Sequence, residues 1–290
     1  MSVTGPLQVQ KTSPGYWRAI FDNPPVNLFD PSLFAALCVL LNELEKDSDV
    51  RIVVFESADP AYFISHLDVE HISAEPETAG AARFPDEWQR FVRRLALAPV
   101  VSVAAIRGRA RGMGAEFAMA CDMRFASRET GVLALPQVGL GVVPGCGGMD
   151  LLPHLVGRAR SLEIVLSGDD FDSDTAERYG WINRALPEVK LDSFIHALAT
   201  RIAGFDRRAL ATAKRMINER SPIPSAGGLL DSFATFIEAC NWPEAKARLA
   251  VMRAKGWGRN SEVELHYAHH VGRLASELTR HDSHTKGETP

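Results

Sequence analysis

A β-branched run from Val100 to Ile106 leads into a glycine-rich turn, Gly108 to Gly114, and then into the helix-forming stretch Ala115 to Cys121. That order restricts the chain to folds in which strands and helices pack as alternating layers. Neighbouring segments repeat the theme. Tyr16 to Phe21 reads as a strand running into the turn-prone Asp22-Asn23-Pro24-Pro25. Asp30 before Pro31 predicts a helix start, an N-cap followed by proline at the first helical position. Leu33, Phe34, Leu37, Leu40, Leu41 and Leu44 follow at helical spacing, so one face of that helix is apolar. Ile52-Val53-Val54-Phe55 is apolar without alternation, as expected of a strand covered on both faces.

Between Ile72 and Pro85 the composition shifts to Ala, Glu, Pro and Gly, which predicts a mobile loop. Trp88, Phe91, Val92 and Leu95 predict a helix after it, and Met123 to Ala126 and Val132 to Leu135 two short strands. From Asp172 to Leu186 a cap, a short helix closed by Gly180 and a strand follow one another. Beyond Leu191 the pattern is helical, broken at Ser221 to Gly228 and at Trp242-Pro243, with a polar tail from Arg280. The chain therefore divides into an α/β core over 1–190, a helical region over 191–279 and a tail over 280–290. No internal sequence repeat stands out.

Composition narrows the function classes. The 290 residues carry 32 basic and 36 acidic side chains, a net charge of -4, so the basic excess needed for nucleic-acid or anionic-membrane binding is lacking. No apolar run approaches the ~20 residues of a membrane span, and the first ten residues do not read as a secretion signal. Cys38, Cys121, Cys146 and Cys240 are widely spread, which fits reduced thiols in a cytosolic protein rather than a disulfide or metal framework. His266, His269 and His270 have helical metal-ligand spacing but no carboxylate or cysteine partner to complete a site, so no metal is expected. Trp181, Trp242 and Trp257 read as core or interface anchors.

The turn Gly108-Arg109-Ala110-Arg111-Gly112-Met113-Gly114-Ala115-Glu116 presents backbone N–H groups at a helix start, with the positive end of the dipole behind them. Such a turn either binds an anion, phosphate or developing oxyanion, or serves only as a packing device. Its spacing is neither a Walker motif nor a dinucleotide fingerprint. Arg107, Arg109 and Arg111 alternate and share one face of an extended segment. They read as solvated or interface residues, with Arg111 alternatively meeting a carboxylate or phosphate of a ligand.

Four motifs occur in a specific order: Asn23-Pro24-Pro25-Val26-Asn27, Tyr62-Phe63-Ile64-Ser65-His66-Leu67-Asp68, the glycine turn ending at Glu116, and Pro136-Gln137-Val138-Gly139-Leu140-Gly141-Val142-Val143-Pro144-Gly145-Cys146-Gly147-Gly148. In this order the sequence resembles the enoyl-CoA hydratase/isomerase (crotonase) superfamily, from about Val9 to Pro187 and more weakly beyond. The resemblance implies an α/β fold, a spiral of ββα units with a C-terminal helical region used for a homotrimer or a dimer of trimers. It also implies a coenzyme A thioester as substrate and no covalently bound cofactor. The thioester oxygen would be held by the backbone N–H groups of Leu67 and Met113. Ser65, His66 and Asp68, with Val26 and Gly112, would line the coenzyme site, and on its ligand-facing alternative Arg111 would join them, although the family usually has small or apolar residues there.

Hydratases of the superfamily use two carboxylates. Glu116 matches the first, whereas the second position is Gln137, which can hold a water by hydrogen bonds yet supplies no proton. Losing one general acid–base group typically costs ~10² to 10⁴ in rate. The resemblance therefore points to an enoyl-CoA hydratase/isomerase-like enzyme with Glu116 as acid/base. Alternatives are a thioester hydrolase, a decarboxylase, or an acyl-CoA-binding protein that has lost activity. Glu116 also has a plainer reading, a first-turn residue favoured by the helix dipole. His66 reads as a hydrogen-bonded loop histidine, beside a catalytic role suggested by a loose parallel with decarboxylating members. Asp68 reads as structural, and Cys146 lacks the paired base that would make it a nucleophile.

Overall fold

The computed structural model describes residues 5–68, 79–221, 223–259 and 261–285. Its core is built from three successive ββα units. They are β3 (Ile52–Ser57), β4 (Tyr62–Ile64) and α2 (Ala79–Leu97); β5 (Val101–Ile106), β6 (Arg109–Arg111) and α3 (Met113–Ala120); and β7 (Met123–Ser127), β8 (Val132–Ala134) and α4 (Gly148–Val156). The first strand of each unit joins one sheet and the second joins another. β1 (Leu7–Ser13), β2 (Tyr16–Phe21) and β10 (Arg184–Leu186) complete a six-stranded sheet in the order β1-β2-β3-β5-β7-β10. β9 (Phe171–Asp172) completes a four-stranded sheet in the order β4-β6-β8-β9. Pairings between successive units are parallel, as are β2–β3 and β7–β10, whereas β1–β2 and β8–β9 are antiparallel. This is the spiral that the resemblance implied, present three times although no sequence repeat announces it.

The local chemistry follows the sequence closely. Asp30 caps α1 (Pro31–Lys46) by accepting from the Leu33 N–H at 2.8 Å, and all six apolar residues read for its inner face are buried. β3 is covered on both faces. Val53 and Phe55 enter the main core, while Ile52 and Val54 pack against Leu191, Ile195 and Ala199 of α7 (Glu188–Ala203). The four-residue spacing of those three residues explains why α7 seals the outer face of the sheet.

Two expectations change. Of the segment expected to be a loop, 69–78 lie outside the described residues, but Ala79 to Pro85 already belong to α2. Pro85 is accommodated there because its neighbour Phe84 is tied into an aromatic cluster with Phe34, Trp88 and Phe233. Tertiary packing thus outweighs the helix-breaking tendency of proline. Similarly, helix α12 (Tyr267–Thr285) continues past Arg280, where a polar tail was expected. The helices α5 (Arg158–Ser167) and α6 (Ser173–Tyr179) lie between α4 and α7, and α8 (Arg207–Arg220), α9 (Ala226–Cys240), α10 (Pro243–Ala254) and α11 (Ser261–Leu265) precede α12. Trp181 and Trp257 are buried as anchors, whereas Trp242 is 42% exposed.

One close approach sets the geometry of the site. A Cβ placed on Gly114, in the first turn of α3, would lie 2.1 Å from the carbonyl oxygen of Ile64 at the end of β4. Only glycine lets the start of α3 sit against that strand. We therefore expect Gly114→Ala to lower unfolding stability by ~1–3 kcal/mol, as overpacking does, and to reduce activity further by pushing α3 off β4. Chemical denaturation measures the first effect, and an unchanged midpoint would show that the contact relaxes freely.

Candidate active site

The loop after β4 is held by backbone bonds on one side only. Asn27 donates through Nδ2 to Ser57 Oγ and to the Tyr62 carbonyl, pinning the turn beneath β4. Ser65 N–H donates to the Asn27 carbonyl, and its hydroxyl to that of Val26. Phe29 N–H donates to His66 O at 2.8 Å, and Asp68 N–H donates to Phe29 O at 3.0 Å. This parallel bridge leaves the residue between, Leu67, with its N–H and C=O turned the other way. Val26 and Ser65 are thus structural props of the loop in the geometry observed.

The second wall is the start of α3. Gly112 has φ 49° and ψ -117°, a conformation that side-chain-bearing residues avoid, and its N–H bonds the Ala134 carbonyl of β8. Met113 is the first helical residue, so its N–H has no partner within the helix. All eight residues of α3 are buried. Among the described residues, neither the Leu67 nor the Met113 N–H has a backbone acceptor. Both residues line one cavity of about 50 Å3.

Glu116 lines the same cavity. Its Oε1 accepts from the N–H groups of Cys146 at 2.8 Å and Gly148 at 2.9 Å. A Cβ on Gly148 would lie 3.0 Å from that oxygen, so the loop Gly145 to Gly148 can close around the carboxyl because it is small. Burial pushes the Glu116 carboxyl up to about 7, and the two amide bonds pull it back only in part. A proton shared with a reacting carbon near neutral pH requires a group of about this acidity. Gln137 sits opposite, on the 3-10 turn Pro136–Leu140, with its Oε1 buried and without a hydrogen-bond partner. Cys146 contributes its backbone, while burial holds its thiol well above the ordinary value.

The remaining wall comes from the helical region, and no local pattern in the sequence announces it. Phe236 and Cys240 of α9, Leu249 of α10, Trp257 and Tyr267 close the cavity. His66 is also buried. Its Nε2 lies 3.0 Å from Glu264 Oε1, its Nδ1 lies 2.8 Å from the Leu67 carbonyl, and its ring stacks on Trp257 at 4.5 Å. A larger cavity of about 260 Å3 abuts the first, with His66 and Trp257 lining both. Asn23 to Pro25, Asp30, Asp68 and Arg259 form its other sides.

Arg111 departs from the ligand-facing alternative. Its guanidinium is 1% exposed and is spent on the fold, gripping Asp170 through Nε and Nη2 and the Glu264 carbonyl through Nη1. Burial in β6, between β4 and β8, aims it at the C-terminal helices rather than at the cavity. Arg107 is likewise paired, with Glu188 and Asp192. The three histidines of α11–α12 assemble no ligand group with other His, Cys, Asp or Glu among the described residues.

Two sheets wound from ββα units, with a buried carboxyl and a helix start on one cavity, define an enzyme of the crotonase fold class. The enoyl-CoA hydratase/isomerase family pattern matches residues 17–226. A probable enoyl-CoA hydratase of Mycobacterium leprae is 31% identical over 212 residues, covering 71% of this chain and 78% of its own. The crystal structure of a Streptomyces avermitilis protein assigned as an enoyl-CoA hydratase superposes with a TM-score of 0.86 at 38% identity, covering 94% of this chain and 98% of that one. DspI of Pseudomonas aeruginosa gives 0.70 at 27% identity, covering 83% and 98%. The chain belongs to the enoyl-CoA hydratase/isomerase family, whose members process acyl-CoA thioesters.

Arg111→Ala tests the structural role of that side chain. Removing one partner of a fully buried ion pair costs about 3–5 kcal/mol, and the remaining exposure of Asp170 brings the expected loss here to about 2–3 kcal/mol. Urea denaturation reads it, and wild-type stability would contradict the assignment.

Proposed function

We propose that the enzyme transfers a proton at the carbon next to the thioester carbonyl of an acyl-CoA. The thioester oxygen is received by the N–H groups of Leu67 and Met113, and Glu116 is the acid/base. The single observation that supports this reading is that Leu67 and Met113, whose N–H groups have no backbone acceptor among the described residues, line one apolar cavity with Glu116, whose carboxyl burial pushes up to about 7. As base, Glu116 takes the Cα proton. The electron pair moves toward the carbonyl oxygen, and the enolate is stabilised by the two fixed donors and the positive end of α3. Returning the proton to the same or a conjugated carbon regenerates the carboxylate. No cofactor enters these steps; the coenzyme A thioester is the substrate.

Gln137 limits water addition. Its unpaired Oε1 can accept a hydrogen bond from a bound water or a substrate hydroxyl, but the amide supplies no second acid/base. Among the described residues around the cavity, Glu116 is the one carboxylate. The coenzyme portion fits the adjoining cavity, because the wall formed by His66 and Trp257 is common to both. Self-association through the helical region is part of the proposal. Phe205, Met216 and Ile217, the last 64% exposed, offer apolar surface at α8, and light scattering would show a multiple of 31.8 kDa.

Crotonyl-CoA and a saturated acyl-CoA in deuterium oxide provide the test. We expect deuterium to enter at Cα in the saturated thioester, with the rate rising through pH 7 as Glu116 ionises. Glu116→Gln keeps an acceptor for Cys146 and Gly148 and should lose ~10² to 10⁴ of the rate while remaining folded. Gln137→Glu should raise hydration of crotonyl-CoA. Thioester cleavage without Cα exchange would replace this reading with a hydrolase.

A further inference from the structure

The two ring nitrogens of His66 both face oxygen atoms, each of which accepts when Glu264 is ionised. One is the Leu67 carbonyl, and a carbonyl carries no proton. The other is Glu264 Oε1, which already accepts from the Gly258 N–H at 2.7 Å and is completely buried. Burial raises that carboxyl, but His66, the Gly258 N–H and Arg111 outweigh it and hold the group below the ordinary value. A neutral imidazole has one donor and one acceptor and would face one of these oxygens lone pair to lone pair. Geometry therefore favours an imidazolium. Burial opposes the charge, but Glu264, the Leu67 carbonyl and Asp68 outweigh it and raise the ring above its ordinary value.

We propose that His66 is a positioning residue that couples the docked C-terminal helices to the Leu67 N–H. This rests on the reading above that Leu67 supplies an oxyanion donor. The chain of contacts is short and buried. Glu264 on α11 holds Nε2, Nδ1 holds the carbonyl of Leu67, and Phe29 holds the carbonyl of His66. The peptide that carries the Leu67 N–H is thereby fixed from both sides. Other groups face this network from each packed element. Arg111 of β6 bonds the Glu264 carbonyl and lies over the Tyr267 ring, Asp170 neutralises Arg111, and Asp68 stands beside the ring. Tyr267 of α12 is held neutral by burial, and Glu116 faces His66 across the cavity. The His66 ring also lies on the cavity wall, so its charge adds to the donors that favour an enolate. Loss of the His66 proton removes one of the two ring bonds and uncouples the Leu67 carbonyl from Glu264, while the Phe29 bridge stays in place.

The experiment uses the full chain labelled with 15N-histidine, its His66 signal assigned by loss in His66→Gln. Both ring nitrogens are expected to be protonated at pH 7, and the rate of Cα exchange should fall on the alkaline side as this signal loses its proton. Glu264→Gln keeps the hydrogen-bonding oxygen but removes the charge. We expect kcat to fall about tenfold or more with KM changed by less than about threefold, and the alkaline limb to move down by at least about one pH unit. Glu264→Asp should recover part of the loss. A neutral His66 ring at pH 7, or a Glu264→Gln enzyme with wild-type kcat and alkaline limb, overturns the coupling while leaving Leu67 as donor. Absence of exchange in the wild type overturns the site reading itself and this inference with it. Should Glu264→Gln fail to fold, the wild-type signal and its match to the alkaline limb decide the question.

Discussion

Burying the first turn of a helix forces a choice, because its leading N–H groups lose water and have no partner inside the helix. In this enzyme α3 is buried along its whole length, and glycine at 114 allows its start to press against the last carbonyl of β4. A buried donor without a protein partner is unfavourable unless a ligand or water accepts from it. Under the proposed function it becomes favourable when an oxygen bearing negative charge arrives. That difference between resting and charged states is what catalysis needs from an oxyanion site. Gly112, with its positive φ, and the Ala134 carbonyl that fixes it hold the turn without a side chain intruding.

The same dry interior acts on Glu116. The two amides that bind its Oε1 and the helix dipole favour the anion, yet removal from water outweighs them and leaves the group near 7 rather than at its ordinary 4.5. The sign of the linkage follows. Between those values the folded state keeps a proton that the unfolded chain releases, so folding stability declines as pH rises through that window. A carboxyl that weakens the fold at neutral pH is a poor structural choice and a good acid/base. The plain reading of Glu116 as a dipole-favoured first-turn residue gives no reason for its burial.

Much of this was legible in order along the chain. Asp30-Pro31 marked α1 correctly because capping is local chemistry, and the unalternating Ile52 to Phe55 run marked a strand with two covered faces because burial on both sides erases the period of two. Leu67, Met113, Glu116 and Gln137 lie on one cavity, a convergence that the spacing of motifs suggested but could not build. What stayed hidden was non-local. Glu264 meets His66 across 198 positions, and nothing in the short stretch Ser261–Leu265 distinguishes it from a surface glutamate. Pro85 misled for the complementary reason: a local breaker sits inside a helix whose aromatic packing was invisible to composition. Arg111 looked available to a ligand until Asp170, from a segment with no apparent bearing on the site, was found to hold it.

The division between an α/β core and a helical region, evident in composition near Leu191, does not divide the chemistry. The carboxyl, the two N–H groups and Gln137 come from the core, while Phe236, Cys240, Leu249, Trp257 and Tyr267 supply the apolar wall. Without that wall the Glu116 carboxyl would regain water and its ordinary acidity, and the unpaired N–H groups would bind solvent in place of a thioester oxygen. Water exclusion, not donor placement alone, makes both groups useful. The helices beyond residue 190 therefore line the proposed active site as well as completing the architecture. A substitution there can impair proton transfer without touching a reacting atom.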